Sequence, residues 1–207
     1  MSFTYLSANQ TNRVECDLDC RRCTAINAKN GQQCKRTTCK YLPFCTTHMK
    51  SQMHLTVKKS IKIPEAGFGL FSYGKEEDDV VFKKNDKIAD YFGKLYTKAE
   101  NDELYGSARN DVAPYTYKTS ANKYLDSACT RSTAAFANDN RGNANAQFKN
   151  DTSRGKVTLR AKKNIRNNEE IFVSYGPTYF HDVANAPKPT YKTLTRKRGK
   201  KFPAFLK

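Results

Sequence analysis

The apolar residues of this chain come in short runs separated by turn-forming residues, and no run approaches the ~20 residues a membrane-spanning helix needs. The runs are Leu55-Thr56-Val57-Lys58, Ile61-Lys62-Ile63, Phe68 to Ser72, Val80-Val81-Phe82, Lys87 to Phe92, Tyr124-Leu125-Asp126, Ala146-Gln147-Phe148, Val157-Thr158-Leu159-Arg160 and Glu170 to Tyr175. Short strands at that spacing predict a mostly β fold with short helices, built of small sheets. One helix is expected to start at Thr97-Lys98-Ala99-Glu100, a capping-box pattern with Thr97 as N-cap and Gly106 as its stop. A second, short one is expected over Arg131 to Phe136. Residues 1–12 are polar and aperiodic and read as a loose lead-in. With no signal-peptide pattern after Met1, a soluble intracellular protein is expected.

Lysine and arginine outnumber aspartate and glutamate by 37 to 20, and the excess of +17 sits at the two ends. Residues 1–60 carry +7 and residues 187–207 carry +8, whereas the middle carries only +2. A nearly neutral body with two basic arms favours a polyanionic partner, DNA or a nucleosome. The tail holds Arg196-Lys197-Arg198-Gly199-Lys200-Lys201 together with Tyr191, Phe202 and Phe205. It is expected to serve as a DNA-binding arm, a substrate or a lid over the site.

Six of the seven cysteines lie between Cys16 and Cys45, with Cys129 alone. The absence of a secretory signal and the presence of His48 favour metal over disulfides. Cys23, Cys34, Cys45 and His48 form a Cys₃His set for Zn²⁺, and so small a segment has too little core to fold without such help. Cys16, Cys20 and Cys39 are left over, either as free thiols or, with a bridging thiolate or with His54, as part of a second zinc site.

Three further motifs occur in order. Gly67-Phe68-Gly69 follows a short strand and permits a tight turn with close backbone approach to a ligand. Phe136-Ala137-Asn138-Asp139 opens an Asn-rich stretch reaching Asn145. The run Glu169-Glu170-Ile171-Phe172-Val173-Ser174-Tyr175-Gly176 ends a hydrophobic strand in a phenol. Together these resemble the SET-domain protein-lysine methyltransferases, and the likeness spans roughly residues 55 to 182. The lack of a cysteine cluster after the core is similar to small viral members.

The resemblance implies a β-clip architecture of small sheets with a C-terminal pseudoknot, to which the small zinc-binding module is added. The implied division is 1–52 for the zinc module, 53–186 for the methyltransferase domain and 187–207 for the basic tail. It also implies S-adenosylmethionine as cofactor, contacted by Gly67, Phe68, Gly69, Asn138, Asp139 and Tyr175. Tyr175 is the implied catalytic residue, and Tyr117 is the preferred wall of the lysine channel, ahead of Tyr115 and Tyr124. Tyr91 reads as packing. Asp139 stands where many members have His, so any imidazole contact is lost, and Val173 replaces an aromatic residue that influences methylation number.

The expected reaction is methyl transfer to lysines of a basic protein, either a histone or a viral DNA-associated protein, the enzyme's own tail included. The compartment expected is the nucleus or a viral replication site, or the virion. The competing reading is an inactive SET-like zinc protein that binds nucleic acid or chromatin.

Overall fold

The computed structural model describes residues 2–6, 13–17, 20–38, 42–106, 115–140, 142–151 and 156–176, the first two of these segments as backbone only. The tail, Cys39 and the side chain of Cys16 lie outside the described residues, as do the roles expected of them.

The strands are β1 (Ser2–Leu6), β2 (Arg13–Asp17), β3 (Arg21–Arg22), β4 (Thr37–Thr38), β5 (Leu55–Lys59), β6 (Phe68–Ser72), β7 (Val80–Phe82) and β8 (Lys87–Tyr91). They continue as β9 (Lys94–Thr97), β10 (Thr116–Ser120), β11 (Lys123–Asp126), β12 (Asn138–Asp139), β13 (Ala146–Asp151), β14 (Lys156–Ala161), β15 (Ile165–Arg166) and β16 (Phe172–Val173). Helix α1 (Thr46–His48) runs on as a π turn over Met49–Met53, and α2 spans Lys98–Tyr105. Among the described residues the strands form seven sheets of two or three strands each, as the short apolar runs predict.

Strand β14 shows why the pattern works. Val157, Leu159 and Ala161 alternate inward with exposures of 2% or less, between antiparallel neighbours β13 and β8. Helix α2 begins as its sequence dictates. Thr97 accepts the Glu100 N–H, and the Glu100 carboxylate accepts the Thr97 N–H, closing the capping box before the Gly106 stop.

Three local expectations are corrected. Ile61-Lys62-Ile63 forms no strand: Pro64 starts a 3₁₀ turn, Ile63 N–H turns back to Ser60 Oγ at 3.0 Å, and Ile61 N–H goes to the Glu170 carboxylate. The lead-in is ordered in part, since Ser2–Leu6 pairs antiparallel with Arg13–Asp17. The helix expected over Arg131 to Phe136 is one 3₁₀ turn over Thr133–Phe136, because Arg131 sits in a left-handed conformation at φ 44° and cannot extend it.

The main core gathers Leu55 and Leu70 from β5 and β6, Leu159 from β14, and Ile171 and Val173 from the C-terminal segment. Leu42 and Met49 join it from the cysteine-rich segment, so that segment is fastened to the body by apolar packing. The C-terminal segment is gripped from both sides. Ile171 N–H bonds Leu70 O at 2.8 Å and Ser72 N–H bonds Glu169 O at 3.0 Å, while β16 pairs in parallel with β12. This is the tucked strand that the sequence resemblance implies, and it brings Tyr175 beside Ala137 and Asp139.

Asn145 is the clamp of that arrangement. Its Oδ1 accepts the Phe172 N–H at 2.8 Å, its Nδ2 donates to Glu170 O at 2.9 Å and to Glu169 Oε1 at 3.1 Å, and its own N–H bonds Phe172 O at 3.1 Å. Asn145→Ala leaves two buried backbone groups without partners, at about 1 to 3 kcal/mol each. The expected result is a Tm lower by about 5 to 15 °C in thermal denaturation. An unchanged Tm would show that the clamp is redundant.

Candidate active site and metal centre

Residues far apart in sequence converge around Asn138. Its side-chain Nδ2 donates to Phe68 O at 3.1 Å, on the strand that leaves the glycine turn, and to Glu170 Oε1 at 3.3 Å. Both amide hydrogens are thereby used, and Oδ1 keeps no partner among the described residues. One residue on, the Asp139 carboxylate accepts the Tyr175 N–H at 2.6 Å, and the Tyr175 hydroxyl donates to Ala137 O at 3.1 Å. Gly67, Phe68, Asn138, Asp139 and Tyr175 thus lie in one neighbourhood, linked by hydrogen bonds across 36 to 70 positions of sequence.

The glycines there have separate reasons. Gly67 lies at φ +78°, a conformation side chains disfavour, and a Cβ on it would meet nothing within 4 Å, so the turn faces open space. Gly69 permits close approach: a Cβ would overlap Glu170 Oε1 and lie 3.2 Å from Asn138 Nδ2. Phe68 and Tyr175 are 41% and 37% exposed at this opening, with Ile61 nearby at 67%. Exposed aromatic surface beside an unpartnered amide oxygen and a bare turn fits a ligand with an apolar ring at one end and an ammonium at the other.

Tyr117 belongs to an adjoining aromatic cluster, 6.1 Å from Tyr91 and 5.1 Å from Phe148 by ring centroids. Burial raises its hydroxyl pKa. Tyr91 is 6% exposed and donates to Tyr115 O, which is a packing position as the sequence suggests. Its pKa is pushed up chiefly by burial, then by Asp126, Tyr175 and Tyr115, so this cluster lies within electrostatic reach of Tyr175. The Tyr115 ring carries the Arg131 guanidinium at 3.7 Å. Tyr124 is partly buried on β11 opposite Tyr96. Val173 is fully buried in the core.

Two residues escaped the sequence reading of the site: Glu170, which holds Asn138, and Asn145, which holds Glu170. Each was visible only as part of a motif. Asp139, expected as a cofactor contact, uses its carboxylate to hold the Tyr175 turn.

In the cysteine-rich segment, Sγ of Cys23, Cys34 and Cys45 and a ring nitrogen of His48 lie within 4.8 Å of one another. His48 Nδ1 is 3.4 Å from both Cys23 Sγ and Cys45 Sγ. A tetrahedral ion with Zn–S of ~2.3 Å and Zn–N of ~2.0 Å requires S···N edges of about 3.5 Å, so this donor set fits Zn²⁺. Burial pushes the Cys45 thiol up, but hydrogen bonds from the His48 backbone and ring, Cys23 and Thr47 outweigh it and leave it at about 6. Burial raises the Cys23 thiol. Cys20, one of the three spare cysteines, is disulfide-bonded, as is Cys129, so Cys20 is not a free thiolate for a second metal. His54 closes the π turn in a left-handed conformation and lies outside the metal cluster.

A mostly β body that brings a glycine turn, an Asn-centred strand and a tucked Tyr-bearing strand to one opening is the architecture of a SET-type domain. The SET domain family model matches residues 67–176, and the chain belongs to that family. Among curated proteins none matches the chain. Solved structures similar to it include the Chaetomium thermophilum polycomb repressive complex 2, at 21% identity over 67% of this chain and 16% of that one, with a TM-score of 0.48. The same complex in an autoinhibited conformation bound to S-adenosylmethionine matches at 20% identity over 61% of this chain and 16% of that one, TM-score 0.47. A Plasmodium falciparum candidate histone methyltransferase matches at 23% identity over 62% of this chain and 98% of its own, TM-score 0.43. This chain spans 14% to 17% of the length of the polycomb chains. Among the described residues no helix is long and apolar enough to cross a membrane.

Proposed function

We propose that this protein is an S-adenosylmethionine-dependent lysine methyltransferase acting on a basic protein, a histone or a viral DNA-associated protein, with its own tail a further substrate. Its division into a zinc module (1–52), a catalytic domain (53–186) and a basic tail (187–207) belongs to the same reading, as does recruitment to DNA or nucleosomes in the nucleus or a viral compartment. The observation that carries it is the meeting of Gly67, Asn138 and Tyr175 at one opening, in a chain whose family performs this chemistry.

When bound, S-adenosylmethionine supplies a methyl group activated by a sulfonium. The residues of this chain account for the rest. Asn138, whose two amide hydrogens are committed to Phe68 and Glu170, would hold the cofactor's ammonium through Oδ1. Phe68 and Ile61 would offer apolar cover to its adenine. The substrate lysine, with a free pKa of ~10.4, must lose its proton to attack. Tyr117, backed by the packed rings of Tyr91 and Phe148, would supply a desolvating wall that favours the neutral amine. Tyr175, whose hydroxyl lies beside Ala137 O, is the residue assigned to orienting the reacting groups.

The test is calorimetric titration with S-adenosylmethionine, followed by mass spectrometry of core histones and of the protein itself after incubation. Saturable cofactor binding with mass gains of one or more methyl groups on lysine is expected. Absence of cofactor binding would instead establish the inactive SET-like zinc protein.

A further inference from the structure

We propose that the face of the zinc module around Lys35 and Arg36 is a binding site for the phosphate backbone of duplex nucleic acid. The inference rests on the recruitment half of the proposed function and is independent of methyl transfer.

The segment from residue 20 to residue 64 contains ten lysines and arginines and no aspartate or glutamate. The ion pairs Lys87 with Asp90 and Lys98 with Asp102 lie elsewhere. On this segment an open hollow of about 550 Å³ is lined by Lys35, Arg36, Thr37, Cys45, Thr46 and Thr47. All but Cys45 are exposed. Arg36 reaches across it to donate to Thr47 Oγ1, while the Lys35 ammonium makes no contact among the described residues. Two cations and three hydroxyls around one concavity form a donor set for a phosphate oxygen, and they hold no carboxylate to compete for it.

The floor is rigid because it is shared with the metal cluster. Cys45 is a ligand in that cluster, and Arg36 N–H points at the Sγ of Cys34, another ligand, at 3.5 Å. The backbone that carries the donors, and the Arg36 guanidinium through Thr47, are therefore held in place before a partner arrives, which limits the ordering entropy that binding must overcome. A hollow lined by two cations and no carboxylate matches the uniform charge of a phosphodiester backbone. Protein surfaces mix both signs and would need carboxylates here to fix a register.

The experiment titrates the full-length, zinc-loaded protein against a fluorescein-labelled duplex of random sequence across about 50 to 200 mM salt. In Lys35→Gln, which preserves the Arg36–Thr47 bond, the slope of log affinity against log salt is expected to become shallower by about 0.9, and in Lys35→Gln/Arg36→Gln by about twice that. Zinc content and methylation of a free histone peptide are measured in parallel and should be unchanged. Because the tail contributes equally to all variants, the difference in slope reports this face alone. Slopes equal to the parent's in both variants, at equal zinc content, would overturn the proposal. So would unchanged duplex binding accompanied by lost binding to poly-glutamate, which would make the face a protein-docking surface. Failure of the methylation assay alone would count against the enzyme reading and leave this one standing.

Discussion

Tyr175→Phe is expected to lower methyl transfer by about 100-fold or more while leaving the fold and cofactor binding in place. In the structure the hydroxyl donates to Ala137 O at 3.1 Å, from a side chain that is 37% exposed. Losing one such bond costs about 1 kcal/mol, and Phe keeps the ring that packs there. The backbone N–H of residue 175 still reaches the Asp139 carboxylate, so the turn itself stays closed. Neither Asn138 nor the Gly67 turn is altered, so affinity for S-adenosylmethionine should move little. A small change in Tm, a small change in cofactor affinity and a large loss of turnover form a pattern that unfolding cannot imitate. Single-turnover kinetics beside calorimetry would check it, and a Phe variant with full turnover would reject Tyr175 as the orienting residue.

Stripping the metal should unfold the cysteine-rich segment and leave the sheets around β14 largely intact. Apparent zinc-binding energies of ~10 to 16 kcal/mol in peptides of this kind match or exceed the ~5 to 15 kcal/mol that stabilises a whole domain. The local core has little with which to replace that energy: Cys23, Ala25 and Cys45, with Cys34 and Phe44 packed alongside, and three of the five are ligands in the cluster. The amides most diagnostic of the change are Cys23, bonded to Arg36 O, Thr24, bonded to Pro43 O, and Cys34, bonded to Ala25 O. Their hydrogen-exchange protection should vanish on chelation or in Cys34→Ser, whereas Leu159 and Ile171 stay protected. Leu42 and Met49 lie in the main core, so some loss should spread toward β5. Retained protection at Cys23, Thr24 and Cys34 in protein verified to be metal-free would refute a structural zinc.

Much of this was readable from local pattern. The alternation of Val157, Thr158, Leu159 and Arg160 became β14, and the capping box at Thr97 started α2 where it should. Strands such as Lys94–Thr97 and Thr116–Ser120 were not readable, because they are polar and largely open to solvent, so no apolar face marks them. Ile61-Lys62-Ile63 misled in the opposite direction. It has strand-forming residues, but its backbone donors are taken by Ser60 and Glu170.

The site divides along the same line. Chemistry carried by residue type was present in the sequence: thiolates and an imidazole for a metal, a glycine turn able to adopt φ +78°, and a phenol closing a hydrophobic strand. Tertiary structure alone decided that Asn138 spends both amide hydrogens on Phe68 and Glu170, that Asp139 holds Tyr175, and that Asn145 clamps the strand beneath them. Periodicity, caps and ligand types act over a few neighbouring residues and leave a mark in the sequence. A hydrogen bond between partners 36 or 70 positions apart leaves none, because its energy depends on how the chain is threaded.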